Sequence, residues 1–178
     1  IELGLVGSEM CIRDRAKPSA TTPTGNTADT GAMRLWNLTY NDPRRWAEVH
    51  AIAGKPLGFW ASVKAGGTGS PRAELVGGSG ELDALVGVAS DRTGCNFERT
   101  DHGAILYFRS RLEVYGAPFR QGEISGITRM PEGAGERITV WCGWTDLEGA
   151  THSGNVDLRC STANAERMEA WVRRWLMA

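Results

Sequence analysis

The sequence predicts an α+β fold: an antiparallel sheet, strongly curved or closed into a split barrel, with a C-terminal amphipathic helix and one N-terminal helix. Three observations carry this. Across Arg137–Trp144 the even positions Ile138, Val140, Cys142 and Trp144 are apolar, and across Asn155–Cys160 Val156, Leu158 and Cys160 alternate with polar neighbours. That period of two marks strands with one buried face. Between them, residues 145–151 are polar and contain Gly149, the composition of a hairpin loop. From Asn164 onward, Met168, Trp171, Val172, Trp175 and Leu176 recur at helical spacing and form a wide apolar stripe.

Taken in order, the chain opens with residues 1–15, of which Gly7-Ser-Glu-Met-Cys-Ile-Arg-Asp-Arg15 resembles translated sequencing-adapter read-through. On that resemblance the segment is non-native and is set aside from fold reasoning, as a tag would be. Residues 16–32 are rich in Thr, Pro, Gly, Ala and Asp and are expected to form a disordered tail, or upstream sequence ahead of a true start at Met33. Residues 33–178 are expected to form a single globular domain.

Met33–Tyr40, with Leu35 and Leu38 around Trp36, reads as a short strand or anchored arm. A helix follows over Pro43–Ala53. Asp42 is its N-cap, Pro43 its first residue, Gly54 its terminator, and Pro56 lies beyond. Trp46, Val49, Ile52 and Ala53 supply its buried stripe. Leu57–Lys64 alternates Phe59, Ala61 and Val63 with Trp60, Ser62 and Lys64, a strand pattern. Residues 65–71 form a glycine-rich loop that lacks the Lys-Ser/Thr ending of a phosphate loop. Arg72–Val76 is a further apolar segment. Glu81–Ala89 reads as strand, although Leu82, Leu85 and Val86 also fit one helical turn.

In the C-terminal half, Ile105–Phe108 is a continuous apolar run, the sign of a strand covered on both faces. Arg109-Ser-Arg111 marks a bulge or tight turn. Gly116 and Pro118 are turn-forming residues between that strand and Phe119–Thr128, and residues 131–135 form a loop. In the last hairpin, directly opposed residues share a face, so even positions must oppose even ones. A turn centred on Glu148 and Gly149 sets Cys142 opposite Val156 and Ile138 opposite Cys160. It also sends Trp141 to the outer face near Asp157. The remaining chain must pack somewhere, so a covered Trp141 is the expectation and a contact surface the alternative. The final helix takes Thr162 or Asn164 as its N-cap, with Glu166 in its first turn.

Composition narrows the function. The formal net charge is −1, from 20 basic against 21 acidic residues, and discarding residues 1–15 leaves 18 of each. Nothing global points to nucleic acid, and no run reaches the roughly 18 apolar residues of a membrane span. With Cys11 set aside, three cysteines remain, Cys95, Cys142 and Cys160. An odd, widely spaced set argues against a disulfide framework and for a reducing, cytoplasmic setting.

One polar stretch, Ser90–His102, has chemical density: Asp91, Arg92, Cys95, Glu98, Asp101 and His102. A thiol, a carboxylate and an imidazole can ligate zinc or form a nucleophile–base pair. The spacing fits no standard metal pattern, so no cofactor is expected and the stretch reads first as a solvated loop. Asp91, Arg92, Cys95, Asp101, His102 and the outward Trp141 are the candidate binding residues. His50 and His152 read as packed or surface histidines. Five arginines along the C-terminal sheet, Arg109, Arg111, Arg120, Arg129 and Arg137, interleave with Glu113, Glu123, Glu132 and Glu136, so no basic patch is implied.

The strands within Gly103–Thr128 and Arg137–Cys160, followed by the helix Asn164–Leu176, resemble in layout the pleckstrin-homology-like superfold and its bacterial and GRAM-type relatives. The helix Pro43–Ala53 lies outside that pattern. The resemblance implies a non-catalytic module for a protein, peptide or lipid headgroup. A small enzyme or metal-dependent protein using Cys95, Asp101 and His102 is the alternative, and a self-associating subunit packing through its tryptophans is a third reading.

Overall fold

The computed structural model describes residues 33–87, 93–145 and 149–177. Eight strands form one antiparallel sheet: β1 (Trp36–Asn37), β2 (Ala73–Gly78), β3 (Thr93–Arg99), β4 (Gly103–Ser110), β5 (Glu113–Arg120), β6 (Ile124–Glu132), β7 (Gly135–Thr145) and β8 (Thr151–Cys160). Among the described residues four helices accompany them: α1 (Pro43–Ala53), α2 (Phe59–Lys64), α3 (Glu81–Gly87) and α4 (Thr162–Trp175). The sheet order is β1-β5-β4-β3-β2-β8-β7-β6. It therefore consists of two meanders, β2–β5 and β6–β8, joined where β2 pairs with β8. Sheet formation and the terminal helix agree with the sequence reading.

Side-chain parity sorts the sheet into two faces. Leu75, Cys95, Phe97, Leu106, Phe108, Phe119, Ile138, Val140, Val156 and Leu158 point inward and are buried together with Ala165, Met168, Val172 and Leu176 of α4. The Phe97 ring stacks on Trp171 of α4 at 6.1 Å. A smaller core lies on the other face, where Leu38, Val49, Ala53 and Ile105 are buried beneath α1, with Trp36, Trp46 and Tyr107 around them. Ile105 and Leu106 thus serve different cores, and the apolar run in β4 is covered on both faces as its sequence predicts.

α1 has the bounds and caps expected. The Asp42 carboxylate accepts from the Arg44 N–H at 2.9 Å, and Gly54 ends the helix with φ +89°. α4 is capped by Ser161 and not by Thr162 or Asn164, so it begins earlier than expected, which leaves Glu166 beyond the first turn.

Several expectations are overturned. Leu57–Lys64 does not form a strand: 59–64 is helical, with the Ser62 hydroxyl donating to the Gly58 carbonyl at 3.1 Å. Its alternation is too short to separate a strand from a helical turn. Glu81–Gly87 is likewise helical, because Leu82 is buried and Leu85 and Val86 pack against the main core. Asp83 also accepts from the Gly78 N–H at 2.9 Å. Residues 93–99 are a central strand and not a loop. Gly116 and Pro118 lie inside β5 and make no turn; the hairpin turns instead at Arg111–Leu112, between Ser110 and its partner Glu113. Pro118 is tolerated there because β1 pairs β5 only at Tyr115 and Gly116, leaving its outer edge free of ladder bonds.

The last hairpin keeps the expected parity but not the expected register. Ile138 opposes Leu158 and Cys142 opposes Gly154, a shift of two residues. Asn155, and not Asp157, lies across from Trp141. The preceding turn is also tighter than residues 131–135, since Glu132 pairs directly with Gly135.

Candidate interaction surfaces

The candidate residues of the 90–102 stretch do not assemble into one site. Asp91 and Arg92 lie outside the described residues. Cys95 sits on the inner face of β3, opposite Phe108 on one side and Ala73 on the other. Burial pushes its thiol up to about 12, so it is neither a ready thiolate nor accessible. His102 lies in the β3–β4 turn at the far end of the strand, beyond roughly 13 Å of extended chain, and is exposed. The nucleophile–base pairing of Cys95 with His102 therefore has no geometry to support it. Cys142 is similarly buried and its thiol is raised to about 12, first by burial and then by the nearby Glu123. Among the described residues, no group of three His, Cys, Asp or Glu side chains converges as a metal site.

Asp101 has a structural position. Its backbone N–H donates to the Lys55 carbonyl at 3.0 Å, and its carboxylate rests against Gly54, where a Cβ would come within 1.8 Å of Oδ1. Thr100 donates its hydroxyl to the Ala53 carbonyl. The β3–β4 turn thus fastens the C-terminus of α1, satisfying carbonyls that the helix end leaves open. His102 Nε2 stands 3.7 Å from Asp101 Oδ2 on the surface. His50 packs against Trp46 at 5.5 Å and His152 stacks with Trp144 at 6.0 Å, so both read as packed rings.

Trp141 emerges as an exposed residue. It lies on the outer face of β7 and is 46% exposed, so the expected cover is absent among the described residues. Its ring packs over Gly126 of β6, where a Cβ would lie 3.5 Å from the indole Cδ1. Around it the outer face is polar and internally paired. Thr139 donates to Asp157 at 2.7 Å, while Glu132 accepts from Arg137 and Arg159, each at 2.8 Å. Hydrogen bonds from Arg137 and Arg159 hold the Glu132 carboxyl down at about 2. Arg129 is likewise occupied, by Glu136 at 2.7 Å and Glu169 at 3.1 Å. Arg129, Arg137 and Arg159 are thus each engaged by acids.

A second apolar display was not read from the sequence. α2 has no buried residue. Phe59 and Trp60 are 73% and 75% exposed, Val63 is 57% exposed, and the two rings meet edge to face at 5.3 Å. The strand reading divided these three residues between opposite faces, whereas a helix gathers them on one side. The segment is held by its ends: Pro56 bridges to Thr100 and Gly69 to Glu98. Ser70 donates its N–H to the Phe97 carbonyl at 2.8 Å.

No helix among the described residues is long and apolar enough to cross a membrane. Comparison with family models, with curated proteins and with solved structures returns no match for this chain.

Proposed function

We propose that the chain is a non-catalytic binding module that takes a protein or peptide partner on the apolar surface of α2, with Trp141 as a second contact. The observation that carries this reading is the display of Phe59, Trp60 and Val63 on a helix that buries none of its own residues. A helix of six residues is marginal in water without packing. Exposed aromatics of this size are costly to leave wet and are favoured as interface anchors. Covering such a pair releases on the order of a few kcal/mol of apolar transfer free energy.

The layout supports the same reading. The two meanders followed by α4 fit the pleckstrin-homology-like resemblance. The finer expectation, a strongly curved sheet, rests on width. Eight strands spaced about 4.8 Å apart are far wider than a helix about 10 Å across. Yet one main core draws inner-face side chains from Phe119 of β5 to Ile127 of β6 together with α4. We infer that the sheet wraps around the helix.

The test is selection of binders from a random peptide library against the folded chain, followed by measurement on Phe59→Ser/Trp60→Ser. The expected outcome is at least a tenfold loss of affinity with the melting temperature unchanged. Peptides that bind the variant undiminished would overturn the assignment. Sedimentation with anionic phosphatidylserine vesicles, if abolished by the same substitutions, would reassign the surface to lipid.

A further inference from the structure

A cleft of about 180 Å³ opens where the last turn of α4 meets the β3–β4 and β5–β6 turns, lined by Arg99, Thr100, Asp101, Gly103, Gln121, Arg174 and Trp175. Arg99 shares the inner-face parity of Cys95 and Phe97, so its side chain reaches the end of α4. There its guanidinium lies 3.8 Å from the centre of the Trp175 ring, and that of Arg174 lies 4.2 Å from the same centre. The two guanidinium carbons are therefore no more than 8.0 Å apart.

This pair differs from Arg129 on the same inner face and from Arg137 and Arg159 on the outer one. Arg129, Arg137 and Arg159 are each ion-paired with glutamates. No carboxylate among the described residues lies within salt-bridge distance of Arg99 or Arg174. Asp101, the one acid in the lining, is turned to Gly54 and His102. Two cations brought to one ring repel each other, and the ring's cation–π attraction offsets that only in part. An oxyanion between them would complete the arrangement. Charge-assisted N–H···O contacts place each guanidinium carbon on the order of 4 Å from the central atom of a bridging anion, so one anion beside the ring reaches both at separations short of the 8.0 Å limit, at which the ring itself would lie between them.

Net charge and size select the ligand. Two guanidiniums against one carboxylate leave a lining of net +1, which one negative charge neutralises and a dianion would overrun. A volume of about 180 Å³ holds on the order of six water-sized groups. We propose that the cleft is a binding site for the carboxylate of a small organic monoacid, held between Arg99 and Arg174 against the edge of the Trp175 platform.

The experiment is an NMR titration of the intact chain with propionate, with inorganic phosphate and with chloride at matched ionic strength. The Trp175 indole N–H and the Arg99 Nε–H are followed. A saturable shift at both groups with propionate is expected, with a dissociation constant of roughly millimolar order. The affinity should fall at least tenfold in Arg99→Gln and in Arg174→Gln. Arg174 is exposed on α4, so its variant keeps the test decisive should Arg99→Gln fail to fold. The proposal is overturned by the absence of a saturable shift or by undiminished binding in Arg174→Gln. Phosphate binding at least as tightly as propionate would also overturn it.

Discussion

Glu132 takes hydrogen bonds from Arg137 and Arg159 on the outer face of the sheet, and its titration is the most exposed to test of any single residue. Its carboxyl is lowered from an ordinary 4.5 to about 2, chiefly by the Arg137 hydrogen bond. The folded chain thus binds this proton less readily than the unfolded one. The resulting stability is present above about pH 4.5 and is lost as pH falls toward 2. Acid unfolding followed by circular dichroism should show a shallower loss across that window in Glu132→Gln. A Glu132 carboxyl that titrates by NMR at its ordinary value would refute the assignment. At this scale the sequence was only partly legible. The interleaving of Arg and Glu argued against a net basic patch, but it could not show which arginines pair or that Arg99 and Arg174 stand without a carboxylate partner among the described residues, because that depends on where α4 ends. The density of Asp91–His102 misled for a simple reason. In β3 the inward Thr93, Cys95 and Phe97 alternate with Gly94, Asn96 and Glu98, and only two of the seven residues are strongly apolar, so a strand resembled a loop.

Among the elements, the β4–β5 hairpin makes the clearest demand on its turn. Arg111 has φ +56° in a two-residue connection, the position at which glycine is preferred when the first residue alone is left-handed. Arg111→Gly should therefore stabilise the chain by about 0.5–1 kcal/mol, read as a rise in the denaturant midpoint. A fall would mean that the Arg111 side chain does more than span a turn. The sequence reading marked Arg109–Arg111 as a bulge or tight turn, which overlaps the observed reversal only at Arg111, and set a further turn at Gly116–Pro118. Composition favoured that assignment. What decided against it was edge position, since a proline needs only a missing ladder partner. α1 was legible because its caps, Asp42 and Gly54, are local chemistry, and α4 because its apolar stripe runs over several turns, although its cap is Ser161 and not Thr162 or Asn164. The short helices α2 and α3 were not, because six or seven residues carry too little periodicity to outvote a strand pattern.

For the whole molecule, the pairing of β2 with β8 joins the two meanders, and Leu75 meets Leu158 across one of the longest chain separations in the sheet. Closing so large a loop costs entropy before the contact is rewarded. Substitutions that weaken this seam should act mainly on unfolding. Leu75→Ala is expected to give a kinetic φ-value near zero, and Val140→Ala, within the β7–β8 hairpin, a clearly higher one. The reverse order in stopped-flow chevrons would place the seam in the folding nucleus. No local pattern announces which strands of two separate meanders will meet, so this part of the architecture lay beyond sequence reasoning. The main core and its helix did not. β4 joins the two cores, with Leu106 and Phe108 in one and Ile105 in the other. The same property has a cost when the chain is open. Ala104-Ile-Leu-Tyr-Phe108 is uncharged, free of proline and rich in strand-forming side chains, the composition that pairs with copies of itself in cross-β stacks. Of its immediate neighbours, Arg109 is the one charge that guards it. The strand that unites the folded molecule is therefore where concentrated, half-folded chains should first adhere to each other.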